Sequence, residues 1–432
     1  MRSKTLHFPV ALLTAMSLLV ASCSDYTNNN KGNTPAGGNT PSNPPTSGKP
    51  GNDDVYGDPN AGDFTEEKML INIGINVMAR AADNFAAQAP VLKNSIRQYC
   101  EALTNGPARR EEAQVKMDWE RTMSAYHEME AAPMALKDRG DYFGSNLYFW
   151  PYLNTCDIDN AVLENSKAPV DASRTLHNRK GLGAIEYLLF EGTLTSSCNM
   201  RAHPHMQEWN ARQETQKKLE RCMWAQELVK DVEAKSQEIK AKWDVKGENF
   251  TSRIVNNSKG TKEAINALTD SMANIEILKD AKLGVPTARH KDCAMDKCPQ
   301  QVEHKYSGAS LASAEAQLKG FKAIFTGSFS NQPAFGFDDL LIKAGRQDVS
   351  QKLIAALDRA IASVQNAQTL GTFQEQVEAM DPALCKASTM GDRKVEICAV
   401  HADVREVAFL LKTEVLAALA LRAPPTHQGD ND

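Results

Sequence analysis

The chain has 432 residues, with 49 Lys and Arg against 54 Asp and Glu, a formal net charge of −5. That mild acidity, with no basic stripe interleaved with aromatics, argues against a nucleic-acid partner. Aromatics make up only 6% while Ala, Leu, Lys, Glu and Gln are plentiful, which is a helical composition.

The N-terminus reads as an export signal. Arg2 and Lys4 precede an apolar run from Val10 to Val20, and the run ends at Ala21-Ser22-Cys23. This resembles a bacterial lipoprotein signal, residues 1–22, cleaved before a lipidated Cys23. The run is too short and too early for an ordinary membrane-spanning helix. Several acyl chains on Cys23 would hold the protein stably on a membrane. Ser24, where an Asp would resemble an inner-membrane retention signal, points to the outer membrane of a Gram-negative bacterium, facing the periplasm. Residues 23–62 are rich in Asn, Gly, Pro, Ser and Thr and read as a solvated tether. A flexible chain of ~40 residues reaches on the order of 35 Å.

From residue 63 the pattern is helical almost throughout. Asp63-Phe64-Thr65-Glu66 has the form of a capping box with Asp63 as the cap. Leu70, Ile73, Val77 and Phe85 then mark one helix face, which Pro90 is expected to kink or interrupt. A second helix opens near Pro107, with Val115, Trp119, Met123 and Tyr126 on its buried side and Glu130 continuing that face. A long polar helix follows from about Met206 to Trp243, burying Trp209, Leu219, Cys222 and Val229. Residues 260–282 place Ile265, Leu268, Met272, Ile275 and Leu278 on one side. Leu311, Ala314, Leu318, Phe321 and Phe325 follow heptad spacing, as do Val349, Leu353, Leu357, Ile361 and Val364, and then Val404, Val407, Leu411 and Val415. No segment alternates as a strand does. The expected fold is all-α, with two antiparallel helical bundles over residues 63–245 and 246–424 and a disordered tail at 425–432.

Eight cysteines remain beside Cys23, an even number that suggests disulfides in an exported protein. Proximity pairs Cys293 with Cys298, Cys385 with Cys398, Cys198 with Cys222, and Cys100 with Cys156, although spacing alone does not fix connectivity. His290, Cys293, Cys298 and His304 also lie near zinc-ligand spacing, a rival use of the first pair.

The segment Lys180-Gly181-Leu182-Gly183-Ala184-Ile185-Glu186-Tyr187-Leu188-Leu189-Phe190 sets a carboxylate among apolar residues. At ~100° per residue, Glu186 falls ~40° from Leu182, on the stripe that Ile185 and Leu189 share. A carboxylate facing a core is hydrogen-bonded, paired, protonated or bound to a cation, because burying it bare is costly. An Arg or backbone amides would satisfy it structurally.

The segment resembles the Gly-x-His-x-x-Glu signature of the imelysin-like group, which includes insulin-cleaving metallopeptidases and periplasmic iron-uptake lipoproteins. Gly181 and Glu186 match, and Gly183 stands at the histidine position. Weaker pieces keep the family's order. They are Asp118-Trp119-Glu120 with Glu130, Phe149-Trp150-Pro151, Cys156-Asp157-Ile158-Asp159, Leu278-Lys279-Asp280-Ala281-Lys282-Leu283-Gly284-Val285-Pro286, and Glu303-His304-Lys305-Tyr306-Ser307.

The resemblance implies two bundles related by internal duplication. It also implies a site formed by Glu186, Glu130 and Glu303, joined by Trp150, Asp157 or Asp159, with iron or zinc as the metal. Without an imidazole at Gly183 the peptidase inheritance is weakened. His127, His203, His205 and His304 could supply one only through tertiary packing. The expected function is a non-catalytic accessory binding protein in iron or haem uptake, acting beside an outer-membrane iron or haem receptor. The alternatives are a zinc metallopeptidase and an interaction protein that has lost the metal site.

Overall fold

The computed structural model describes residues 53–424 except 135, 137–142 and 331. The signal segment, Cys23, most of the tether and the tail from 425 lie outside the described residues. Ten principal helices carry the fold: α1 Glu66–Asn72, α2 Ala79–Leu103, α3 Arg109–Glu130, α4 Thr155–Lys167, α5 Gly181–Phe190, α6 Glu214–Trp243, α7 Thr261–Met272, α8 Ser310–Thr326, α9 Gln347–Gln368 and α10 Glu396–Leu410. No strand occurs among the described residues.

Local chemistry accounts for several helix boundaries. Thr65 caps α1, its Oγ1 accepting from the Lys68 amide at 3.1 Å, so the cap lies two residues beyond the Asp63 expected from sequence. A short hydroxyl side chain one residue before the first helical position reaches the exposed amides, and Asp63 is too far back to do so. α1 passes through a π-helical turn at Ile73–Met78 into α2. Pro90 neither ends nor interrupts α2. Proline removes the bond to the carbonyl four residues back, and Gln237 of α6 donates to that carbonyl, Ala86 O, at 3.0 Å. A side chain from a neighbouring helix thus replaces the missing donor.

The segment read as a tether ends in contacts with the helical body. The Tyr56 hydroxyl donates to Asn249 Oδ1 at 2.8 Å, and Asn60 bonds the Asn72 side chain and the Phe335 amide. The long polar helix expected from Met206 is two helices, Met206–Asn210 and α6. The helix expected over 260–282 ends at Met272 and resumes as a π-helical segment, Ile277–Gly284.

Helices α2, α3 and α6 pack together with α5 and α4, and α8, α9 and α10 form a second group. A five-residue link between α2 and α3 makes them antiparallel neighbours. Both groups share one continuous apolar core. Nearly every residue assigned to a buried face is buried, with Glu130, Leu219 and Ile361 only half-buried. The groups meet where α8 crosses α3. A Cβ on Gly320 would stand 2.2 Å from Glu128 O and 2.9 Å from Ala131 Cβ, so only glycine permits this approach.

Four disulfides tie the chain: Cys100–Cys222, Cys156–Cys198, Cys293–Cys298 and Cys385–Cys398. The two short-range pairs agree with proximity, and the other two exchange partners. Antiparallel packing of α2 against α6 sets Cys100 beside Cys222, while the loop after α5 returns Cys198 to the start of α4. Sequence distance does not see either return.

Candidate functional site

Gly181 opens α5 with φ +78°, and a Cβ there would lie 2.4 Å from Leu147 O. Glycine is therefore required on both backbone and steric grounds, and it lets the motif helix dock against the end of the short helix Phe143–Leu147. Trp119 of α3 donates to Leu182 O at 2.9 Å and fixes the helix from the other side. Every residue from Gly181 to Leu189 is buried, Glu186 included.

Neither an Arg nor the amides of its own helix satisfies Glu186. Its Oε1 accepts from the Ser307 amide and hydroxyl, both at 3.0 Å, and its Oε2 meets His304 Nδ1 at 2.9 Å. An imidazole thus reaches Glu186 from the loop before α8. His304 is fully buried at φ +52°, a conformation that a non-glycine residue adopts only under constraint. Its Nε2 lies 3.0 Å from His127 Nε2, and His127 Nδ1 lies 2.8 Å from Glu130 Oε2.

Glu303 completes the centre. Tyr148 donates to its Oε1 at 3.0 Å, and Lys282 lies 3.1 Å from the same oxygen. Lys282 also donates to Glu130 Oε2 at 2.8 Å and to Gln317 Oε1 at 3.3 Å. The π-helical turn of Ile277–Gly284 widens that helix and carries Lys282 into the cluster, a recurrent use of such turns.

The charges respond to this arrangement. Burial disfavours ionised Glu130 and Glu303, but Lys282 together with His127, and for Glu303 also His304, outweighs it and holds both below the usual carboxylate range. Burial likewise opposes the charge on Lys282, yet Glu130 and Glu303 raise it above the ordinary ammonium value. For His304 the carboxylates of Glu186 and Glu303 overcome burial and push it up, whereas burial and then Lys282 push His127 down. Burial and the nearby Glu303 carboxylate hold the Tyr148 phenol neutral.

Above the cluster opens a cavity of about 750 Å³, lined in part by Trp150, Tyr152, Tyr306, Tyr148, Lys282 and His304. Glu130, Glu186 and Gly183 also reach it, while His127 and Glu303 lie one side chain deeper. The motif position itself offers a metal nothing. Gly183 has no ligand atom, and a Cβ there would already stand 3.3 Å from Tyr148 Cε2. A metal held through position 183 does not fit this chain. The donors present are instead His127, Glu303 and His304, whose ligand atoms lie within 4.8 Å of one another.

Of the residues singled out from sequence, Glu186, Glu130 and Glu303 converge and Trp150 borders the cavity. Asp157 and Asp159 lie elsewhere. Asp159 accepts from Tyr187 and Ser197 and faces Arg221 at 3.7 Å, a closed structural network, and Asp157 accepts from Asn178 at 2.8 Å. Zinc-like spacing at His290, Cys293, Cys298 and His304 carries no zinc chemistry, because the cysteines form a disulfide and His304 points into the central cluster. Cys156, Cys198 and His203 also gather, but that cysteine pair is oxidised as well. Sequence reasoning did not place His127, Tyr148, Lys282 or Ser307 in the cluster. One local signal existed: His127-x-x-Glu130 repeats the very His-x-x-Glu spacing that position 183 lacks.

The family model described as Imelysin matches residues 78–395. No curated protein matches the chain in sequence. Among solved structures, an imelysin-like protein from Psychrobacter arcticus 273-4 aligns with a TM-score of 0.59 at 13% identity, covering 84% of this chain and 98% of the other. A putative iron-regulated protein A precursor from Parabacteroides distasonis ATCC 8503 aligns with a TM-score of 0.56 at 13% identity, covering 82% and 97%. At that identity the two structures speak for the fold.

Proposed function

Because the chain belongs to the imelysin family, whose model spans residues 78–395, we propose that it is a cell-envelope binding protein in iron or haem acquisition and not a peptidase. The observation that carries this reading is the cavity of about 750 Å³ with an aromatic rim and a charged, imidazole-bearing floor. Its volume lies within the range of small-molecule sites. Trp150, Tyr152 and Tyr306 offer flat apolar contact, and Lys282 and His304 offer charge and a ring nitrogen below them. That combination suits a chelated or porphyrin-bound metal. One structural neighbour carries the description iron-regulated protein A precursor, which agrees with this direction.

The peptidase reading has less support. A peptidase of this kind needs a metal with an open position for water and a base beside it. Here both carboxylates that line the cavity are already engaged, Glu186 by Ser307 and His304 and Glu130 by Lys282 and His127, and position 183 offers no imidazole. Export through the signal at residues 1–22, anchorage through Cys23 at the outer membrane, and partnership with an outer-membrane receptor for iron or haem complete the proposal.

Titration of the purified protein with Fe2+, Zn2+ and haem, beside Glu186→Gln, tests it. Saturable binding of iron or haem, weakened in the variant, with no cleavage of an unfolded protein substrate, is the expected result. Zinc-dependent cleavage lost in Glu186→Gln, or no binding of iron or haem, would overturn it.

A further inference from the structure

The geometry points to a metal site whose ligands are His127 Nε2, His304 Nε2 and Glu303 Oε1, taking a borderline divalent cation such as Zn2+ or Fe2+. This inference deepens the reading of the chain as a metal-handling protein and rests on it. Its residues are not those of the Gly181–Glu186 motif. Glu186 acts in it as an orienting group.

The orientation of the two imidazoles is the first argument. His304 Nδ1 is turned to the Glu186 carboxylate at 2.9 Å and His127 Nδ1 to Glu130 at 2.8 Å. A carboxylate against Nδ1 assigns the ring proton to that nitrogen and leaves a lone pair on Nε2. The same carboxylate–histidine pairing is how metal-binding imidazoles are commonly held. Both lone pairs then face one another across 3.0 Å. Two lone pairs at that distance repel, so the contact needs either a proton shared between the two nitrogens or a cation beside them.

Distance is the second argument. Separations of 3.0, 3.9 and 4.0 Å define a triangle whose equidistant point lies about 2.1 Å from every corner, the length of zinc bonds to imidazole and carboxylate. A proton on the Nε2–Nε2 axis would serve only two of these atoms; a cation at the common point serves all three. Tyr148 OH, 3.4 Å from His304 Nε2 and 3.0 Å from Glu303 Oε1, steadies the carboxylate corner.

Charge is the third. Glu130, Glu186 and Glu303 bring three carboxylates, and Lys282 brings one ammonium. The remaining two negative charges are those a single divalent cation neutralises in a buried setting. Two imidazoles with one carboxylate suit zinc or ferrous iron better than calcium or magnesium, which favour all-oxygen sites.

The test is Zn2+ and Co2+ titration of the purified protein, read by metal content and by the visible Co2+ absorption, in wild type, His127→Asn, His304→Asn and His203→Asn. Thermal melts of each metal-free variant establish that it is folded, and Tyr148→Phe, which keeps both imidazoles and the carboxylate, gives a fourth comparison. One ion per chain is expected, with binding at least tenfold weaker in His127→Asn and His304→Asn, unchanged in His203→Asn and altered less in Tyr148→Phe. Stoichiometric binding that survives in a folded His127→Asn or His304→Asn protein would overturn the site, as would no binding in wild type. Haem binding in a protein that takes up no Zn2+ or Co2+ would sink this site while leaving the acquisition reading intact. A three-ligand ion bound as described, without any binding of iron or haem, would sustain the site and sink that reading.

Discussion

A histidine introduced at position 183, where the family resemblance places one, would have to evict Tyr148. The first atom is tolerable. A Cβ on Gly183 sits 3.3 and 3.5 Å from two ring carbons of Tyr148 and 3.7 Å from Leu153 Cδ1, which a shift of a few tenths of an ångström relieves. Replacing glycine within a helix returns up to about 1 kcal/mol of propensity, so Gly183→Ala should stay within ~1 kcal/mol of wild type. The imidazole has no such room. Moving Tyr148 aside breaks its 3.0 Å bond to the Glu303 carboxylate, worth about 1.5–3 kcal/mol to a charged partner. It also ends the stacking of Tyr148 on His304 at 5.3 Å, worth about 0.5–1.5 kcal/mol. Gly183→His is therefore expected to lose about 2–4 kcal/mol in urea unfolding. Combined with Tyr148→Ala, which empties the contested space, the pair should show a favourable coupling above ~1 kcal/mol. A Gly183→His protein as stable as wild type, or losses that simply add in the double variant, would refute the claim that glycine at 183 and tyrosine at 148 are one exchange.

Lys282→Met should destabilise the protein by roughly 3–5 kcal/mol at pH 7, since Glu130 and Glu303 would remain buried without their cation. Both carboxylates are held below their ordinary value, so their favourable share is present above pH ~4.5 and lost as pH falls through the folded values. The gap between variant and wild type should accordingly narrow towards pH 4, and a gap constant from pH 7 to 4 would count against the pairing. Gln237→Ala should cost about 1 kcal/mol by stranding Ala86 O, but nothing in a Pro90→Ala background, where the new amide takes that carbonyl. Equal costs in the two backgrounds would show that Gln237 is not standing in for the missing donor. Asp338 is pushed up to about 7 by burial and then by Asp339. Its folded value exceeds the unfolded one, so it withdraws stability as pH climbs from about 4 to about 7. Asp338→Asn should remove that decline, leaving the variant more stable at pH 8 by a few kcal/mol at most, and identical pH profiles for the two proteins would contradict this. Loop lengths predict that replacing Cys100 and Cys222 by serine costs about 5 kcal/mol, against about 2 kcal/mol for Cys293 and Cys298. Equal midpoints for the two reduced pairs would argue that chain entropy is not what these bonds contribute.

Helix identity was legible wherever one apolar face repeated, because burial on a single stripe is the commonest reason a long helix persists. The stripes of α3, α8 and α9 lie in the core almost residue for residue. What failed was local and had tertiary causes. Pro90 was expected to kink or interrupt its helix because proline strands the carbonyl four residues back, and the helix is not interrupted. Gln237, 147 positions downstream of Pro90, bonds that carbonyl instead. No window on α2 contains that information. Cys100 and Cys222 were misassigned for the same reason, since two residues 122 apart meet only after α2 and α6 have packed.

The site divides along the same line. Glu186 and Glu130 were legible because a carboxylate on an apolar face demands a partner, and that demand is visible in sequence, whereas Glu303 came only from the family resemblance. The partner's identity was not. His304 reaches Glu186 across 118 positions, and Lys282 reaches Glu130 across 152. Glycine at position 183 therefore does not leave the centre without imidazole. His127 and His304 stand on elements from the two halves of the chain, and each is set by a carboxylate that sequence had already marked. A ligand carried by one helix can be deleted without touching the fold. A pair carried by two packed halves exists only while those halves remain together, so binding and packing become one equilibrium. A cation held by His127, His304 and Glu303 would then raise the unfolding midpoint of wild type and leave that of His304→Asn unmoved.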